Sequence, residues 1–189
     1  MSAVFMPQRT RIDVARYHQM IAAGIFHAEE RIELIEGEML DMAPIGSDHA
    51  ATVNALNRLM FEAGVNRLAE ISIQNSVVLG DISEPQPDLL LLAPRADHYR
   101  HAVPDASDVL LLIEVAHSSL HFDRTCKVPL YARFGIAETW IVNLVDAQLE
   151  VYRRPGQRGY ATQEIVDRTR SIAPGALPEV LLRWGEVLG

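Results

Sequence analysis

Residues 109–116 read Val-Leu-Leu-Leu-Ile-Glu-Val-Ala. A near-continuous apolar run of this length predicts a strand buried on both faces of a sheet, because a strand with one wet face would alternate. Glu114 breaks the run. A carboxylate inside such a strand costs free energy unless something compensates it. Upstream, Pro87-Asp88 opens the stretch Leu89-Leu90-Leu91-Leu92, which predicts a short strand over 88–92 with an acid at its start. Acids at the ends of two core strands can meet on neighbouring strands. Two close carboxylates repel, and a hard divalent cation such as magnesium relieves that repulsion. Each acid alone could instead emerge at a sheet edge into solvent; the pair together favours a metal.

Outward from these strands, helices are expected over 11–23, opened by Thr10 and Asp13, and from Ser47 or Asp48 to about Ala63, stopped by Gly64. Residues 31–42 read as a strand pair with Glu36-Gly37 at the turn, and 69–79 as a strand. Residues 93–108 carry two prolines and two histidines and predict a loop. A helix over about 123–134 ends at Gly135, strands follow at 138–145, 148–153 and 160–166, and a terminal helix is expected over 178–187. This order predicts one α/β or α+β domain spanning residues 1–189, with a central mixed sheet flanked by helices.

The chain has 189 residues, 49% hydrophobic and 22% charged, which fits a globular protein and excludes disorder. No apolar stretch approaches the roughly 20 residues that span a bilayer, so no membrane role is expected. The N-terminal residues show no secretory pattern, and Cys126 is the only cysteine, so a reducing, cytoplasmic setting is expected. The net charge of −8 argues against coating nucleic acid by bulk attraction. It is uneven: residues 51–150 carry a net −6 and residues 151–189 a net +2.

Of 17 basic residues, 16 are arginine and Lys127 is the only lysine. Drift toward arginine explains the 16 but not the survival of one lysine, a compact point donor with a tunable pKa. On a helix, Lys127, Leu130, Tyr131 and Phe134 share one face, and Asp123 lies on it one turn earlier. A lysine on an inward stripe usually snorkels to solvent; here it can reach Asp88 and Glu114. Pro129 would remove a hydrogen bond from a helix begun at Asp123, which implies a later start or a kink. His117 and His121, with His98 and His101, suggest zinc as a minor alternative, though all four lie in expected loops. There is no glycine-rich phosphate loop, and Ser118-Ser119 lacks the elbow of a hydrolase nucleophile.

Asp88, Glu114 and a lysine in the following helix form a set that resembles the PD-(D/E)XK nucleases and, within them, the Uma family of restriction endonucleases. Glu33-Leu34-Ile35-Glu36-Gly37-Glu38, His49 opening a helix, Glu84 to Asp88, Ile113-Glu114-Val115, Asp123-Arg124, Lys127, Leu130-Tyr131-Ala132 and Gly135 to Val142 carry the resemblance in order. It implies a restriction-endonuclease-like fold and roles for these positions. Asp88 and Glu114 would hold magnesium or manganese, with the Val115 carbonyl as a third ligand. Lys127 would orient or activate the attacking water and stabilise charge on the phosphate. Glu33 would be a further acid of the site, and His49 and Gln74 would line the cleft. The superfamily commonly places its lysine two residues after the acid; that position is Ala116 here, and the lysine lies 13 residues after Glu114. His117 is read first as an ordinary loop histidine.

The expected activity is therefore metal-dependent endonucleolytic hydrolysis of DNA, with a homodimer implied by the resemblance. Arg95, Arg100, Arg124, Arg153 and Arg154 are candidates to hold the phosphate backbone. The competing reading is a catalytically inactive nucleic-acid-binding or regulatory protein on the same fold; a hydrolase of another phosphate substrate, or a zinc enzyme, comes third.

Overall fold

A computed structural model of the chain describes residues 9–27 and 29–188. Its centre is a six-stranded sheet in the order β3-β4-β5-β6-β7-β8. These strands are β3 (Glu70–Ile73), β4 (Leu89–Leu92), β5 (Val109–Ala116), β6 (Glu138–Asn143), β7 (Gln148–Gly156) and β8 (Gly159–Val166). Only β5 and β6 run parallel; every other neighbouring pair is antiparallel, so the sheet is mixed. β1 (Ile32–Ile35) and β2 (Glu38–Asp41) form a separate hairpin. Its turn is the expected Glu36-Gly37, both at positive φ. A Cβ on Gly37 would lie 2.6 Å from the Arg11 Cβ, so this position needs glycine for space as well as for φ.

β5 is buried from both sides, as its composition predicts. Leu111, Ile113 and Val115 face one core, built with Val53, Leu56 and Met60 of α2 (Ser47–Glu62). Leu112 faces the other, with Leu90 and Leu92 of β4 and with Leu130 and Tyr131. Alternation along a strand gives Glu114 the face of Leu112, and Asp88 that of Leu90. Because Leu89 is paired with Ile113, the two acids come side by side on this second face.

That face is covered by the segment joining β5 to β6. It runs as a single turn α3 (Leu120–Phe122), a π-turn over Asp123–Lys127, and α4 (Val128–Arg133). The Val128 N–H bonds to the Asp123 carbonyl five residues back. The wide turn ends before Pro129, which stands in the first turn of α4, where a missing N–H is tolerated. The expected helix is thus present but starts earlier, and the proline is accommodated by a shift of hydrogen-bond register.

Other boundaries differ for identifiable reasons. α1 spans Val14–Ala22 and is capped by the Asp13 side chain on the Arg16 N–H, not by Thr10. The strand expected over 69–79 stops at Ile73, because Gln74 turns to φ 51°. The terminal helix does not form over 178–187. Val180, Leu182 and Trp184 are buried while Glu179, Leu181 and Arg183 are exposed, a period of two that belongs to extended chain. Leu182 bridges to Ile172, and only Trp184–Leu188 coil, as a 3-10 helix.

Candidate active site

The acids and the lysine converge at the C-terminal end of β5. Lys127 is buried, and its Nζ lies 3.0 Å from both carboxylate oxygens of Glu33 and 3.2 Å from Glu114 Oε1. The π-turn brings Asp123, also buried, over the same face. Its Oδ2 accepts a 2.7 Å hydrogen bond from the Ser119 hydroxyl. Glu33 enters from β1, so the hairpin closes one wall of the site.

Asp88 is held by three groups. Its Oδ2 accepts the Val115 N–H at 2.9 Å, and its Oδ1 lies 2.7 Å from His49 Nε2 and accepts the Gln74 amide at 3.2 Å. The positive φ of Gln74 that ends β3 is what turns its side chain to Asp88. His49 reaches the acid from the first turn of α2. Glu114 is held on one oxygen: Oε1 accepts from Lys127 and from the Tyr131 hydroxyl at 2.5 Å. Among the described residues, no hydrogen bond falls on its Oε2.

These surroundings set the charge states. Burial would raise Asp88, but the hydrogen bonds from His49, Val115 and Gln74 outweigh it and hold this carboxyl below its usual value. Burial pushes Glu114 up to about 8, opposed by Lys127 and reinforced by Asp123, Asp88 and Glu33. Asp123 is likewise pushed by burial up to about 6, against Lys127 and the Ser119 hydroxyl. Burial alone would lower Lys127; the carboxylates of Glu114, Glu33 and Asp123 outweigh it and raise the ammonium well above its usual value. One positive charge shared among these acids explains both directions: the lysine gains from all of them, while Glu114 and Asp123 each receive too little to offset their burial.

A cleft of about 340 Å³ opens onto this cluster, lined by Asp88, Glu114, Asp123, Lys127, Glu33 and the half-buried Arg31. The donor set fits a hard divalent cation. It has a surplus of buried carboxylate, because Glu33, Glu114 and Asp123 share the one ammonium of Lys127. Among the described residues, no three His, Cys, Asp or Glu side chains converge to cage an ion by themselves. A cation here would be held by carboxylates together with backbone oxygen and water, the way magnesium is usually bound.

Every residue of the expected set therefore lies in one place: Glu33, Asp88, Glu114, Val115 and Lys127, with His49 and Gln74 on Asp88. His117 is exposed and lines the cleft. The zinc grouping does not assemble. His98 pairs with Glu70 and shares a separate cleft with His101, away from His117. The expected phosphate arginines are also elsewhere. Arg124 pairs with Glu150, Arg153 with Glu138 and Arg95 with Asp97; Arg100 lies in the cleft of His98, and neither Arg100 nor Arg154 lines the acidic cleft. Tyr131 and Arg31 also belong to the site, the first through its hydroxyl on Glu114 and the second in the cleft lining. A hydroxyl four residues after Lys127 on a buried stripe must find a partner, and Arg31 lies two residues before Glu33 on the same strand face; these were the available signals.

A six-stranded mixed sheet flanked by helices is the architecture of the restriction-endonuclease-like class. The family model Uma2, described as "Putative restriction endonuclease", matches residues 14–184, and the chain belongs to that family. The fold is similar to a crystal structure from Anabaena variabilis titled as a "putative nuclease belonging to DUF820". The two share a TM-score of 0.63 at 17% identity, over 88% of this chain and 94% of that one. No match is found among curated proteins.

Proposed function

We propose that the protein is a divalent-metal-dependent endonuclease that hydrolyses phosphodiester bonds in DNA. The observation that carries this reading is one buried lysine clamped between Glu33 and Glu114 beside Asp88, at the floor of an open cleft. Asp88 and Glu114, with the Val115 carbonyl, would hold magnesium or manganese. Such an ion supplies Lewis acidity toward a phosphoryl oxygen and lowers the pKa of water. The protein's own groups do the rest. His49, Gln74 and the Val115 N–H fix Asp88 in its ionised form. Lys127, held charged by its neighbours, has no free lone pair, so it acts as a donor that orients the attacking water and offsets charge on the phosphate, not as a general base. Glu33 keeps that ammonium aimed into the site.

The intact acid–lysine set favours this reading over an inactive nucleic-acid-binding protein on the same fold. Incubation of supercoiled plasmid with the purified chain in Mg²⁺, Mn²⁺ or EDTA tests it. Nicking or linearisation is expected with either metal and not with EDTA, and is expected to be lost in a folded Lys127→Met variant. Cutting that survives EDTA or the lysine substitution would contradict the assignment.

A further inference from the structure

The cations of the cleft are not equally free to meet a substrate. Lys127 lies between Glu33 and Glu114, and His49 is bound to Asp88. A phosphodiester entering the cleft would approach four buried carboxylates, Glu33, Asp88, Glu114 and Asp123, and a single divalent ion offsets only part of that field. Arg31 stands apart. It lines the cleft one residue before β1, and its carbonyl accepts the Met42 N–H at 2.8 Å, so the hairpin pairing continues through it. Its side chain therefore shares the strand face of Glu33. Its Nη1 donates to the Ala43 carbonyl at 3.3 Å, which holds the guanidinium against the rim. Among the described residues it has no acidic partner, and its remaining N–H donors are not used by the protein.

We propose that Arg31 is the substrate-phosphate contact of this cleft, holding a backbone phosphate of the bound nucleic-acid strand. The inference rests on the nuclease reading. A guanidinium suits the task because its planar fork matches two phosphate oxygens and its charge does not depend on pH. Anchoring on Ala43 fixes its direction before substrate arrives, so less side-chain freedom is lost on binding.

The test is the salt dependence of binding to a fluorescein-labelled DNA duplex with Ca²⁺ as the cation. Neutralising one phosphate changes the slope of log K against log salt by about 0.9, which corresponds to roughly tenfold in affinity near 0.1 M salt. Arg31→Ala is expected to lose that much slope and affinity with its circular dichroism unchanged. Arg31→Lys is expected to restore the slope, a recovery that a merely structural role would not produce. Arg183→Ala, a substitution of an exposed arginine outside the cleft, is expected to change neither. If wild type binds and Arg31→Ala keeps its slope, the proposal is overturned while the nuclease reading stands. A wild type that binds no duplex at any salt removes both.

Discussion

Glu114 and Lys127 show how much one side chain's state depends on the few atoms around it. Glu114 Oε1 is occupied by Lys127 and Tyr131, which leaves Oε2 as the oxygen without a donor among the described residues. Tyr131→Phe would remove one hydrogen bond from a buried carboxylate. It is expected to lower stability by about 1–3 kcal/mol and to weaken Mn²⁺ binding by about 10- to 100-fold, the usual cost of losing an outer partner of a metal ligand. Urea unfolding and calorimetric titration check the two effects separately. Lys127→Met would leave Glu33 buried without its cation, at a cost of about 3–5 kcal/mol at neutral pH, read from the urea midpoint. At this scale the sequence was informative. A lone lysine on an apolar helix face, and an acid inside the longest apolar strand, are both anomalies that a functional site explains. Glu33 had no comparable anomaly in its local sequence; its place was implied only by resemblance.

The element that positions the site is the crossover from β5 to β6. A straight α-helix over 123–134 would have met Pro129 in its interior. The π-turn absorbs one residue and sets Asp123 and Lys127 on the cleft side, while Arg124 reaches across to Glu150. Deleting the exposed Thr125 should restore ordinary helical register. With α4 packed on the sheet, residues upstream of the deletion would then rotate by about 100°. Asp123 is expected to swing away from the cleft and Arg124 to lose Glu150, and the protein to lose metal affinity while keeping its far-UV circular dichroism. Unchanged affinity would show that the wide turn is incidental. The π-turn had only an indirect trace in the sequence, the proline that did not fit. The missing terminal helix was legible in principle: its buried residues recur every second position, and reading them at a helical period was the error. The early end of β3 was not legible, because Gln74 takes a positive φ that its residue type does not announce, in a turn that puts its amide on Asp88.

Across the whole molecule, the two cores on either face of the sheet were predictable from β4 and β5, while the long-range pairing of charges was not. Glu150 is an example. It is fully buried, yet its carboxyl lies below its usual value: burial would raise it, but Arg124, Tyr152 and Asn143 hydrogen-bond to it and prevail. A carboxyl lowered on folding contributes stability that is complete above its unfolded pKa of about 4.3 and lost as pH falls through the folded value. Glu150→Gln should therefore be less stable than wild type at pH 7 by about 1–2 kcal/mol, discounted because Arg124 is partly solvated. It should also lose less stability than wild type on acidification below about pH 4; urea midpoints measured across pH check both. The same scale explains why the net charge of −8 misleads about partners. Four of the buried acids, Glu33, Asp88, Glu114 and Asp123, line one cleft, where their charge suits a cation. The most direct measurement of the central claim is Mn²⁺ binding and plasmid cleavage by Glu114→Gln beside wild type. With its carboxyl pushed up to about 8, Glu114 is readily neutral in the absence of a cation, and glutamine mimics that state, so the variant should fold. It is expected to bind Mn²⁺ at least tenfold more weakly and to cut nothing; a folded Glu114→Gln that binds and cuts like wild type would contradict the account.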